Sequence, residues 1–363
     1  MTRHLFPIVL LAAACSVEKV DRDAPPDTAP NPSVAPPGTD TAARGDTARG
    51  AVFDTAPVMA ATDSGSVLLA PDEMRRGGIA VAVAQGLTMD TPRCSWKGAS
   101  LPCYRTPAGV RALVPFPADE PGGRYALVID RPASRITREI TVAETDFGRE
   151  LIFLDDSLYA SLRRTRDIAR DARAVRRILE SETPQQHWSG AWRMPVDGGK
   201  TSAYGVERFY HRASDSTRVV RLESSAKARG SFGLDTASAS PDVPGWRHAG
   251  IDIAVPRGTS VRAAAAGAVA EIGDYVLMGK TVILDHGQGV HSAYFHLDTV
   301  VVREGDVVRK GASLARVGAT GLATGPHLHY GIYVHGKDVD PVAWHALPSA
   351  TLDPTPRSAA PPR

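Results

Sequence analysis

Cysteine is scarce in this chain, with three in 363 residues, at positions 15, 94 and 103. Three thiols allow one disulfide and little more, and at the spacing of Cys94 and Cys103, with no histidine nearby, a metal cluster is disfavoured. Charge of one sign is also lacking: 42 basic against 40 acidic side chains leave a net +2, which argues against nucleic acid as a partner. Long apolar runs are missing too. Leu5 to Ala14 is too short to cross a bilayer, and no later segment could do so. The glycines at 305, 311, 318 and 321 are spaced as turns between short strands, and no helical pattern follows them, which excludes a phosphate-cradling loop.

What the chain does contain fits an exported, modular protein. Its 43% hydrophobic residues suffice for real cores, and its length allows two domains with linkers. Met1 to His4 is a short basic start, and residues 1–14 read as a signal peptide. Leu11-Ala12-Ala13-Ala14-Cys15 resembles a bacterial lipoprotein signal, which implies a lipid anchor on Cys15 and the membrane as a partner. Plain signal-peptidase cleavage is the alternative. Ser16 would favour the periplasmic face of the outer membrane by enteric sorting rules. If Cys15 is lipidated, Cys94 and Cys103 form an even remainder, read as one disulfide across a hairpin turned by Lys97-Gly98-Ala99-Ser100.

Residues 15–65, rich in Pro, Ala, Thr, Asp and Gly without apolar period, read as a disordered tether. Between 66 and 145 the β-rich runs Ile79 to Val83, Val110 to Phe116, Tyr125 to Ile129 and Ile136 to Val142, divided by Pro and Gly turns, predict a small β-sandwich. Leu158, Leu162, Ile168, Ala172, Val175 and Leu179 predict one amphipathic helix over about 156–181 within a linker at 146–190, with Arg163 and Asp167 as an i,i+4 pair. Residues 191–345 read as many short strands with glycine turns, hence an antiparallel β architecture, interrupted by an irregular stretch at 206–247 that could wall a groove. Residues 346–363 read as a disordered tail. The fold class is mainly β.

The chemistry concentrates in two segments, His248-Ala249-Gly250-Ile251-Asp252 and His327-Leu328-His329. In a strand, side chains two or four apart share a face, so His327 pairs with His329 and His248 with Asp252. Two such strands side by side would gather imidazoles and a carboxylate, a set Zn²⁺ accepts with a fourth position left open. Asp285-His286-Gly287 reads as a turn with a structural histidine. His187, His211, His291 and His335 read as ordinary polar histidines.

With these motifs stand Pro195 to Gly205, Gly258-Thr259-Ser260-Val261, Tyr294-Phe295-His296-Leu297, Gly305-Asp306, Gly311 and Gly318-Ala319-Thr320-Gly321. Together, over residues 191–345, they resemble the lysostaphin-like zinc metallopeptidases, metallopeptidase family 23, which cut the peptides of bacterial peptidoglycan. The resemblance implies that His248, Asp252 and His329 bind Zn²⁺, while His296 and His327 are unligated catalytic imidazoles. The implied reaction is hydrolysis of a peptide cross-link by zinc-activated water. Catalytically silent members of such a family bind the wall and activate a separate amidase; they typically lack one of these positions, and this chain has all five.

Overall fold

The computed structural model describes residues 67–71, 73–85, 93–131, 134–215 and 246–352. The signal segment, Cys15, the tether and the middle of the 206–247 stretch lie outside them. The described chain is mostly strand, as its composition and turns predict.

Two facing sheets form the sandwich. One has strands Val67–Ala70, Ile79–Gln85, Gly109–Pro115 and Cys103–Thr106 in spatial order; the other has Glu73–Arg75, Ser134–Ala143, Gly123–Arg131, Arg93–Trp96 and Ala99–Leu101. Its interior is small on one side and large on the other: Ala80, Ala82, Ala84 and Ala112 meet Leu127, Ile129, Ile136 and Ile140. The alternate side chains Ile79, Val81, Val83 and Leu113 point the other way and join a second core with the C-terminal sheet. Strand Ile79–Gln85 is therefore buried on both faces, which is why its sequence shows an apolar run rather than polar alternation. Cys94 and Cys103 form a disulfide linking the two sheets.

The C-terminal sheet has ten strands with antiparallel pairings throughout. Its centre runs Gly199–Ser202, Ile251–Ala254, Leu328–Val334, Val290–Val300, Gly279–Gly287 and Gly267–Tyr275. Alternation along Leu328–Val334 defines its two faces. Leu328, Tyr330, Ile332 and Val334 enter the core shared with the sandwich, whereas His329 and Tyr333 face the opposite side.

Five expectations change. The single helix is two: α1 (Asp156–Ser161) and α2 (Thr165–Leu179). Leu162 and Ile168 are six apart, a spacing that cannot keep both on one face of a continuous helix, and the break at 162–164 buries both. The ion pairs on Asp167 come from Arg164 and Arg170 rather than Arg163. The 206–247 stretch begins and ends in strand: Glu207–Arg212 lies parallel to Arg149–Leu154 and antiparallel to Trp246–Arg247. Asp285-His286-Gly287 is the end of a strand, with the turn at Gln288 and Gly289. Finally, the tail expected from 346 is ordered to Leu352, which is buried and whose carbonyl accepts from Arg111.

Candidate metal centre

The strand register brings the two ligand segments together. Asp252 lies opposite His329, and Phe295 lies opposite His329 on the other flank. His248 is not in the strand, which begins at Ile251; the reading of residues 248 and 252 as one extended face holds only for Asp252. His248 is instead held by backbone bonds with the preceding segment, its N–H donating to Val206 O (2.9 Å) and its O accepting from Gly205 N–H (2.7 Å). Gly250 is required between them, since a Cβ there would meet Tyr330 O at 2.5 Å and His329 Nε2 at 2.7 Å.

His248 Nε2, His329 Nδ1 and Asp252 Oδ1 converge: the two nitrogens are 2.9 Å apart, and the oxygen is 3.0 Å from the first and 2.9 Å from the second. His248 Nδ1 lies 2.7 Å from Ala203 O and so carries the proton there, leaving the Nε2 lone pair to face the carboxylate. Such lone pairs repel unless a cation sits among them. The donor set, two imidazoles and one carboxylate, fits a zinc-type ion.

The protonation states agree. Burial lowers the pKa of His248, and the Arg208 charge adds to it; burial likewise brings His329 down to about 4, so both rings are neutral donors. Burial works against the Asp252 charge, but His248 and the Arg208 guanidinium hold its carboxyl well below the usual range.

His296 and His327 lie beside this group, their ring centroids 4.7 Å apart. His296 reaches it through a bulge. Tyr294 and Leu297 both enter the shared core although three apart, an impossibility in a regular strand, and the pairing shifts between Lys280 and Val282. The extra residue places His296 at φ +59, a strained conformation for a non-glycine that costs about 1–3 kcal/mol and recurs at functional sites. Its N–H donates to Met278 O (2.9 Å) and its Nδ1 lies 2.8 Å from Thr320 O. His327 Nδ1 lies 2.8 Å from Gly325 O, and its buried Nε2 has no hydrogen-bond partner, 4.0 Å from Asp252 Oδ1. Both rings thus turn proton-accepting Nε2 atoms away from the backbone. Burial, with His327 and His329 nearby, also keeps His296 neutral.

All five side chains are at most 1% exposed. Tyr159 and Leu162 of the α1 segment and Ile168 of α2 pack in one cluster with Leu277, Leu322 and Tyr210, which neighbour the loops carrying Met278 O and Thr320 O on one side and Arg208 on the other.

The remaining sequence-marked residues are elsewhere. His286 bonds Ala266 O and Ser292 Oγ, both at 2.7 Å, and His291 Nε2 lies 3.2 Å from Ser181 Oγ, so both are structural. His335 pairs with Glu182 at 2.6 Å, and His211 rests on Phe153. Motif reading missed Arg208, fully buried, whose Nη2 lies 2.5 Å from Asp252 Oδ2. It also missed Glu150, and gave no role to Ser202 of the Pro195 to Gly205 motif; they bond Arg208 at 3.2 and 2.7 Å. The available signal was an arginine between Glu207 and the aromatic pair Phe209-Tyr210, too weak to single out.

Comparison with known proteins agrees with this geometry. Residues 246–341 match the model of peptidase family M23. The chain is 43% identical over 115 residues to the DD-carboxypeptidase/endopeptidase Mpg of Neisseria meningitidis serogroup B, covering 31% of this chain and 26% of that protein. It is 36% identical over 153 residues to the peptidoglycan DD-endopeptidase ShyB of Vibrio cholerae, covering 39% and 35%. The chain thus spans roughly a quarter to a third of the length of these relatives. A crystal structure of a candidate M23 peptidase from Pseudomonas aeruginosa superposes with a TM-score of 0.53 at 27% identity, covering 76% of this chain and 96% of that one. Both the motifs and the fold place residues 246–341 in peptidase family M23.

Proposed function

We propose that the protein is a zinc metalloendopeptidase that hydrolyses peptide cross-links of peptidoglycan. The observation that carries this reading is the convergence of His248 Nε2, His329 Nδ1 and Asp252 Oδ1 beside two unligated imidazoles. Zinc held there would supply Lewis-acid polarisation of the scissile carbonyl and a water acidic enough to react near neutral pH. His248, Asp252 and His329 hold the ion. One of His327 Nε2 and His296 Nε2 takes the proton of the attacking water. The imidazolium so formed, or its neighbour, then donates to the carbonyl oxygen or to the departing amine. Neutral imidazoles suit this work because only an unprotonated ring can begin it. The leader and Cys15 support export and a lipid anchor at the cell envelope, outer membrane by Ser16; Cys15→Ala should abolish membrane partition or processing.

A second reading, a silent wall-binding protein that activates a separate amidase, rests on the burial of all five site residues. Under the first reading that burial is relieved when a peptide enters. Incubation of the zinc-loaded protein with sacculi, followed by mass spectrometry of released fragments, separates the two. Endopeptidase activity yields cleaved cross-links, abolished by chelator. Intact sacculi together with stimulation of a wall amidase would replace the first reading by the second.

A further inference from the structure

The metal centre is completed from outside the matched family segment. Asp252 divides its two oxygens: Oδ1 faces His248 and His329, while Oδ2 lies 2.5 Å from Arg208 Nη2. Arg208 is placed rather than reaching out by chance. Its backbone pairs with Glu150 on one side and Trp246 on the other, and its side chain is fully buried. Glu150 Oε2 takes the other edge of the guanidinium at Nε (3.2 Å). Ser202 Oγ accepts from Nη2 (2.7 Å) and lies 2.8 Å from both Glu150 oxygens. A carboxylate, a guanidinium and a second carboxylate therefore form a line ending at the metal centre.

We propose that Arg208 is a positioning residue that fixes Asp252 as a one-oxygen metal ligand, with Glu150 as its anchor. A carboxylate with both oxygens free can chelate through both and fill the position that a catalytic site must leave open. A guanidinium on Oδ2 withholds that oxygen and orients Oδ1. The planar fork is essential, because it engages Glu150 through Nε and Asp252 through Nη2 at once; a lysine ammonium is a single point that cannot span both. The arrangement also explains why the stretch before residue 246 belongs to the centre although the family match begins after it.

The inference rests on the reading of the centre as a metal site and not on which bond it cuts. The test therefore reads metal directly, on the full chain. Zinc affinity is measured by competition with a chromogenic chelator, and ligand geometry by the visible spectrum of the Co²⁺-loaded protein. Arg208→Gln should weaken zinc about 10- to 100-fold and alter the Co²⁺ bands, as loss of a partner outside the ligand set does. Arg208→Lys, which keeps the charge, should restore neither, and Glu150→Gln should shift both in the same direction by less. Near-ultraviolet circular dichroism reports whether each variant is folded; if Arg208→Gln is not, Glu150→Gln decides. Wild-type affinity and spectrum in the folded variants, or full rescue by lysine, would overturn the inference. A wild-type protein that binds no metal would instead overturn the metal-site reading itself.

Discussion

Between Val67 and Ala143 the chain has two cysteines, joined to each other, and no histidine; between Phe147 and Leu352 it has ten histidines and no cysteine. The interiors differ in the same way. The sandwich interior is Ala, Val, Ile and Leu with Met74, Phe116 and a covalent bridge, whereas the C-terminal region buries His248, Asp252, His286, His291, His296, His327 and His329. Buried polar groups cost stability unless each finds a partner, so they persist where they serve chemistry or satisfy backbone. The sandwich behaves as scaffold, pressing Ile79, Val81 and Val83 against one face of the sheet whose other face carries the centre. Perturbations should therefore sort by region: metal and proton act on one, reductant on the other.

The largest effect should come from the centre. His329→Ala is expected to lose metal and hydrolysis together, because it removes one of three converging ligand atoms. His327→Ala and His296→Ala should retain zinc while hydrolysis of muropeptides falls by about 10²-fold or more, the scale for a positioned acid–base or oxyanion group. Metal content by atomic spectroscopy and turnover on cross-linked dimers read the two effects separately. Loss of zinc in His327→Ala would erase the distinction between ligand and unligated imidazole.

The next effect belongs to the sandwich. Replacing Cys94 and Cys103 by serine opens a short loop and should cost roughly 2–3 kcal/mol in chemical unfolding. Zinc affinity of the folded variant should stay as in wild type. If the double variant also loses zinc, the shared core transmits damage from scaffold to centre, and the division between regions is weaker than their compositions suggest.

The same contrast explains what the sequence made legible. The five site residues sit in short local motifs, and the strand runs beginning at Ile79, Val110, Tyr125, Ile136 and Leu328 are marked by local apolar pattern, so both could be read without coordinates. Arg208 could not, because its partners Glu150 and Asp252 are 58 and 44 residues away, one meeting it through a parallel strand pairing and the other from a different sheet. Nor could the bulge at His296, since nothing in Tyr294-Phe295-His296-Leu297 marks which residue is extra. The helix break was readable in principle from the six-residue gap between Leu162 and Ile168, but helical propensity on either side hid it.

The smallest predicted effect is also the sharpest separation of the regions by pH. Burial pushes the His286 pKa down to about 3, helped by neighbouring His291 and opposed by the bond to Ala266 O. In the unfolded chain the ring titrates near 6.5. Because the folded value is the lower one, the unfolded state binds a proton that the folded state refuses as pH falls through 6.5. Stability is thus intact above that value and declines down to about pH 3. For this ring alone the loss at pH 5 is about 2 kcal/mol. His286→Gln cannot take up that proton, so its stability should fall less between pH 7 and pH 5, by about that amount, even if its stability at pH 7 is lower. Chemical denaturation at both pH values measures the difference. The sandwich, having no histidine, supplies no comparable loss in this window. Equal pH slopes in wild type and His286→Gln would mean that the acid sensitivity of the fold lies with the other buried imidazoles.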